Sequence, residues 1–172
     1  YKTDSARILA VLTRVFGTDN FSMAEDVLQD AFSKALIHWQ KKGVPENPSA
    51  WIIQTAKNLA IDTLRSNKAK LKLSSDLAQH LESEWSLNNT IDQEFSEPKI
   101  KDDQLRMIFM CCREEIKPAN QIPFILKNLC GFSIPTISRS LLIPEATVKK
   151  RLLRTKKQMA EFSFDLPTDE KF

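Results

Sequence analysis

The side chains whose type and spacing point most directly to chemistry are cations. Lys149, Lys150, Arg151, Arg154, Lys156 and Lys157 form one basic run, and Arg65, Lys68, Lys70 and Lys72 form another. Lysine and arginine grouped in this way neutralise phosphates, so the chemistry is binding to a polyanion rather than bond-making. A mostly acidic stretch lies between the runs, with Asp76, Glu82, Glu84, Asp92, Glu94 and Glu97. Two basic faces either side of an acidic connector suit a protein that touches DNA at two places. Solvated helix faces account for the same charges on composition alone. Bond-making residues are poorly arranged. Cys111 and Cys112 are adjacent, whereas zinc prefers spacings such as Cys-x2-Cys, and Cys112 falls on an apolar stripe as a core residue. His38 and His80 have no acidic or nucleophilic companions at helical spacing, and no phosphate-cradling glycine loop or catalytic triad pattern is present. The sequence predicts no catalysis, no metal and no cofactor.

The elements that must position these cations read as helices. The chain has 172 residues, 42% of them apolar, a formal charge of +3 and only three glycines. That is enough for one domain or two small helical ones. No apolar run is long enough to cross a bilayer, and no secretory signal opens the chain, which begins at Tyr1 rather than Met and reads as trimmed. Three cysteines are too few for a disulfide framework and fit a reducing cytoplasm. Ile8, Leu9, Leu12, Val15 and Phe16 repeat at helical spacing and predict a first helix from near Ser5 to Phe16, ended by Gly17. A second starts at Ser22, where Ser22 and Glu25 have capping-box spacing. Its apolar stripe is Val27, Leu28, Ala31, Phe32, Ala35 and Leu36, and Trp39 closes it. A third begins at Asn47-Pro48, a cap followed by a proline at the first helical position. It turns Trp51, Ile52, Ala56, Leu59, Ala60 and Leu64 inward and leaves Gln54, Lys57, Asn58, Asp62 and Arg65 as a polar stripe.

From Leu71 to Lys99 the periodicity weakens. This predicts a connector with one short helix near Leu77 to Leu81, and a connector of that length argues for two domains. The second half restarts at Asp102, with Leu105, Ile108, Phe109 and Cys112 on its apolar face. Pro118 breaks the chain. Pro123 is tolerable only in a first turn, so the next helix should start near Asn120. Ser133 then caps a short helix to Leu141, and Pro144 opens a last helix to about Phe162. Two short helices across a tight turn, the second one basic, spell a helix-turn-helix held by Ile137, Leu141, Ile143, Val148 and Leu152. Its second helix would enter a major groove, where base edges are distinguishable. The expected fold is all-α: residues 1–70 as one helical domain, 71–100 as a polar linker, 101–165 as a helix-turn-helix domain and 166–172 as a tail.

These residues resemble a known family. Residues 131–159, GFSIPTISRSLLIPEATVKKRLLRTKKQM, look like the promoter-reading domain of the extracytoplasmic-function sigma factors of the sigma-70 family. Residues 24–36, AEDVLQDAFSKAL, and 47–65, NPSAWIIQTAKNLAIDTLR, look like the hallmark helices of their N-terminal domain. Residues 102–112, DDQLRMIFMCC, resemble a subgroup whose members often carry a further C-terminal extension. The resemblance implies a cytoplasmic factor that binds core RNA polymerase and directs transcription initiation at promoter DNA. It would be controlled by an anti-sigma factor or by such an extension. It implies polymerase contacts at Glu25, Asp26, Gln29 and Asp30. It places the −10 element against Lys57, Asn58, Asp62, Arg65 and Lys68, with a base pocket in the loop from Lys42 to Pro48 and Trp51 as a packing residue or a stacking surface. It places the −35 element against Glu145, Ala146, Lys149, Lys150, Arg151 and Arg154. The chain departs from the family's pattern at Leu142, where glycine is common, at Arg113, where histidine often follows the cysteine pair, and at Pro123 and Pro135. A conventional helix-turn-helix regulator acting without polymerase is the alternative, and the first-half motifs argue against it.

Overall fold

A computed structural model of the chain describes residues 2–67, 91–162 and 164. Every regular element among them is helical. Helix α1 spans Lys2–Phe16, a 3-10 turn Thr18–Asn20, α2 Phe21–Lys42, α3 Pro48–Asn67, α4 Glu97–Cys111, α5 Pro118–Asn128, α6 Ile134–Leu141 and α7 Glu145–Met159. The helix anticipated near Leu77 to Leu81 lies outside the described residues, as does Lys68. None of the described helices is long and apolar enough to cross a membrane.

α1 is the central post. Ile8, Leu9, Ala10, Val11, Leu12, Val15 and Phe16 are all buried, because α2, α3, α4 and α5 surround it. Its polar side is not left to solvent either: Arg7 pairs with Glu97 and Arg14 with Asp103 of α4. The 3-10 turn feeds directly into α2, so α2 begins at Phe21 and the Ser22–Glu25 capping box does not form. Asn20 N–H already bonds to the carbonyl of Gly17 at 3.0 Å, and buried Phe21 anchors the start. α2 also runs past Trp39 to Lys42. It stops at Gly43, whose φ of 82° is the backbone conformation glycine adopts freely, and whose N–H bonds to the Trp39 carbonyl at 2.9 Å. Leu36, read as core, is 64% exposed near this end of the helix. α3 follows expectation: Asn47 Oδ1 accepts from Ala50 N–H at 3.0 Å, and Ile52, Ala56, Ala60 and Leu64 are fully buried.

α4 is turned relative to the sequence pattern. Its buried residues are Ile100, Asp103, Met107, Met110 and Cys111, while Leu105 and Ile108 are exposed. Cys112, expected in the core, is exposed after the last turn. Cys111 is the buried thiol, and burial pushes its pKa up to about 12, with neighbouring Cys112 adding to the effect. Periodicity failed here because an aspartate occupies the inner face. Asp103 is satisfied by Arg14 of α1, whose Nε lies 2.9 Å from a carboxylate oxygen. Residues 91–94 are helical too, and Ile91 and Phe95 join the core.

α5 starts at Pro118 rather than near Asn120. Pro118 does not break the chain; it sits at the first helical position, where its missing N–H costs nothing. Pro123 lies within the helix and is buried. The carbonyl it leaves without a ladder bond belongs to exposed Ala119, which water can reach. The last helix ends at Met159, short of Phe162. The two halves share one buried core. Phe21 packs against Phe124 with ring centres 5.3 Å apart and planes tilted by 44°, and Thr18 donates to the Phe162 carbonyl at 2.9 Å.

Candidate nucleic-acid interface

The helix-turn-helix is built locally. Ser133 Oγ accepts from Thr136 N–H at 3.3 Å and caps α6. Ile137, Val148 and Leu152 are buried and fix α6 against α7, with Leu141 and Ile143 half-buried beside them. The turn is drawn tight by two bonds: Ser138 Oγ donates to the Ile143 carbonyl at 2.6 Å, and Ile143 N–H donates to the Ser138 carbonyl at 3.1 Å. Leu142 crosses this turn in the left-handed region, at φ 53°, with its side chain 91% exposed.

α7 then presents its leading turns outward. Glu145, Ala146, Lys149, Lys150 and Arg154 are exposed and Arg151 is half-buried. Among the described residues, none of Lys149, Lys150, Arg151 or Arg154 is engaged by an acid. These four cations and the positive end of the helix dipole give one face on which phosphates are favoured. Lys156 of the same basic run does not join that face. It turns inward to form an ion pair with Glu25 of α2 and lies 5.8 Å from the centre of the Phe21 ring. Sequence reasoning missed this, although Lys156 stands four residues after buried Leu152 and three before buried Met159, on the inner side of the helix.

The candidate −10 residues divide in the same way. Asn58, Asp62 and Arg65 are exposed along α3. Asn58 accepts from Gln54 at 3.1 Å, and Arg65 approaches Asp62 at 3.9 Å. Lys57 is held in an ion pair by Asp92, its side chain only 17% exposed. Asp92 belongs to a segment the weak periodicity left as connector, and nothing in its local pattern marks it. A cleft of about 430 Å³ opens between the C-terminal turns of α2 and the start of α3, lined by Lys34, Ile37, His38, Lys41, Trp51 and Thr55, with Lys42 as the sole contribution of the anticipated loop. Trp51 is half-buried there, 5.2 Å from the His38 ring and 5.7 Å from Trp39. On α2, Asp26, Gln29 and Asp30 are exposed, whereas Glu25 is the member of that set drawn in by Lys156. Among the described residues no group of three or more His, Cys, Asp or Glu could hold a metal ion.

Comparison with known proteins matches both halves. Residues 1–70 fit the family model for sigma-70 region 2, and residues 106–159 the model for sigma-70 region 4. An uncharacterised protein of Rhizobium meliloti is 29% identical over 88% of this chain and 35% of its own length. A probable ECF RNA polymerase sigma factor of Mycobacterium tuberculosis, SigI, is 21% identical over 94% of this chain and 53% of its own. The ECF RNA polymerase sigma factor SigW of Bacillus subtilis is 24% identical over 93% of this chain and 84% of its own. The chain thus spans about a third and about half of the length of the first two relatives.

Proposed function

We infer from a chain that belongs to the extracytoplasmic-function sigma factors of the sigma-70 family that it binds core RNA polymerase and directs transcription initiation at a promoter. The observation that carries this reading is the outward face of α7, where Lys149, Lys150 and Arg154 stand exposed beyond a turn fixed by Ser138 and Ile143. A helix so mounted fits a major groove, with Glu145, Ala146, Lys149, Lys150 and Arg151 toward the base edges of the −35 element and Arg154 toward a phosphate. The exposed acids Asp26 and Asp30, with Gln29 and Glu25, offer a negative face to a basic surface of the polymerase, and such complementarity speeds and orients docking.

On this reading α3 works at the −10 element. Asn58, Asp62 and Arg65 face the opened strand, Lys57 and Lys68 neutralise phosphates, and the cleft beside Trp51 receives an unstacked base. Extracting a base costs a few kcal/mol, which a preformed aromatic and basic cleft offsets. The working units are residues 1–70 and 101–165, joined by 71–100 and followed by a tail at 166–172, and the protein acts in the cytoplasm. The resemblance also implies regulation by an anti-sigma factor or a C-terminal extension.

Run-off transcription with purified bacterial core polymerase and a promoter library tests the reading. The expected result is discrete transcripts that depend on this chain; none from any template would overturn it. Reversing charge at two positions, Asp26→Lys with Asp30→Lys, is expected to abolish recovery of polymerase in a pull-down. Full recovery removes the α2 assignment.

A further inference from the structure

We propose that the cleft between α2 and α3 is a site for a free purine nucleoside triphosphate, held by its phosphates at Lys34, Lys41 and Lys42 and by its base at Trp51 and His38. The cleft is the one assigned above to an unstacked base. The proposal rests on that reading only for its consequence, a soluble ligand that competes with the opened strand. The cleft's volume, about 430 Å³, lies within the roughly 300–1,000 Å³ of small-molecule sites. Trp39 of α2 meets Trp51 of α3 edge to face at 5.7 Å, so the two walls are braced against each other before any ligand arrives.

The charge is what a base alone does not explain. Lys34, His38 and Lys41 follow one another at helical spacing along one side of α2, with Lys42 beside them. The three lysines are exposed, no acid lines the cleft, and among the described residues no acid engages them. Lysines in a last turn complement the negative end of a helix dipole, which accounts for Lys41 and Lys42. Lys34 stands earlier on the helix, beyond the reach of that dipole. A base is neutral, and a strand that delivers one brings only the phosphates on either side of it. A triphosphate gathers its charge on one ligand, where three ammonium groups on flexible stems can converge.

The aromatic floor receives the other end of the ligand. Trp51 is half-buried, with the His38 ring 5.2 Å away and tilted by 32°. Stacking on such a surface grows with the π face offered, which favours a purine. Thr55 adds a direction. Its hydroxyl hydrogen is committed to the Trp51 carbonyl at 2.8 Å, so toward the cleft its oxygen only accepts. An exocyclic amino group satisfies that acceptor. Adenine and guanine each carry one, and uracil carries none.

Equilibrium dialysis of the full chain against ATP, in about 0.1 M salt, tests the site. Saturable binding with a dissociation constant below about 1 mM is expected for the wild type. Lys34→Gln combined with Lys41→Gln, at two exposed positions whose replacement costs the fold little, should weaken it at least about fivefold. UTP should bind at least about threefold more weakly than ATP, for want of the amino group and the larger ring. Absence of saturable ATP binding, an unchanged constant in the double variant, or inorganic triphosphate bound as tightly as ATP overturns the site. A short oligo(dA) single strand in excess should lower ATP binding; undiminished binding overturns the competition with the strand. Nucleotide binding by a chain that yields no transcripts with core polymerase would remove the function inferred above and keep the site. Transcripts without nucleotide binding would remove the site alone.

Discussion

Helices α4 and α7 are each 15 residues long, and each carries a mixture of acids and bases, yet they use charge in opposite ways. α4 turns an acid inward. Asp103 is 1% exposed and is bonded by Arg14, which also pairs with Glu94, while Lys99 pairs with Glu94 at 2.8 Å. α7 keeps Lys149, Lys150 and Arg154 in water. Charge at the α1–α4 junction fixes how two apolar surfaces register, because an acid and a base buried there must meet. Charge on the outer face of α7 meets no acid among the described residues. The contrast teaches that burial of a charge, rather than its presence, separates architecture from recognition in this chain.

The comparison is broken most severely by emptying the junction. Met107 is fully buried on α4, the helix that packs most extensively against α1, so Met107→Ala is expected to cost about 2–5 kcal/mol in urea unfolding. Leu153 on α7 is 56% exposed, and its replacement by alanine should stay within about 0.5 kcal/mol. Equal destabilisation at the two positions would mean that the helices do not differ in the way described.

The junction's acid gives a sharper test. Burial holds the Asp103 carboxyl up, from 3.8 to about 6, against the downward pull of Arg14. Between those values the folded chain keeps a proton that the unfolded chain has released. This group's contribution therefore falls as pH rises from about 4 through about 6 and then levels, a decline of roughly 3 kcal/mol at most. Asp103→Asn has no such proton. The difference in unfolding free energy, variant minus wild type, should climb over that window, and a flat difference would refute the buried-acid account. On α7, Lys149→Ala combined with Arg151→Ala should weaken promoter binding by the polymerase complex at least tenfold, about 1.4 kcal/mol, with core affinity retained. The salt slope should fall by about 0.9 for each phosphate that is no longer neutralised. Undiminished promoter affinity would displace the recognition surface from this face.

Much of this was legible in the sequence, and the gaps have physical causes. The start of α3 was placed within a residue because Asn47 and Pro48 are local signals, and the helix-turn-helix was placed because Ser133, Ile137, Val148 and Leu152 act over one or two turns. α4 was misread because its inner face includes Asp103, and only a partner 89 positions away makes an acid tolerable there. The outer face of α7 was legible as a basic run, yet Lys156 was counted with it, because composition does not say which side of a helix a neighbouring α2 will cover. Asp92 and its hold on Lys57 are likewise a product of tertiary packing and leave no mark in the local pattern.

The smallest expected effect lies at the turn that joins α6 and α7. Leu142 occupies a left-handed conformation at φ 53°, and its 91% exposed side chain gains almost nothing from packing. A non-glycine residue held there costs on the order of 1–3 kcal/mol, whereas glycine adopts the conformation without strain and gives back some of the gain through the freedom of its unfolded chain. Leu142→Gly should therefore stabilise the protein by about 1 kcal/mol in urea unfolding while leaving the α6–α7 angle, and so promoter affinity, unchanged. Loss of stability in this variant would mean that the leucine is held by its neighbours rather than tolerated. Unchanged stability with weakened promoter binding would instead move Leu142 from the turn's geometry into the recognition surface itself.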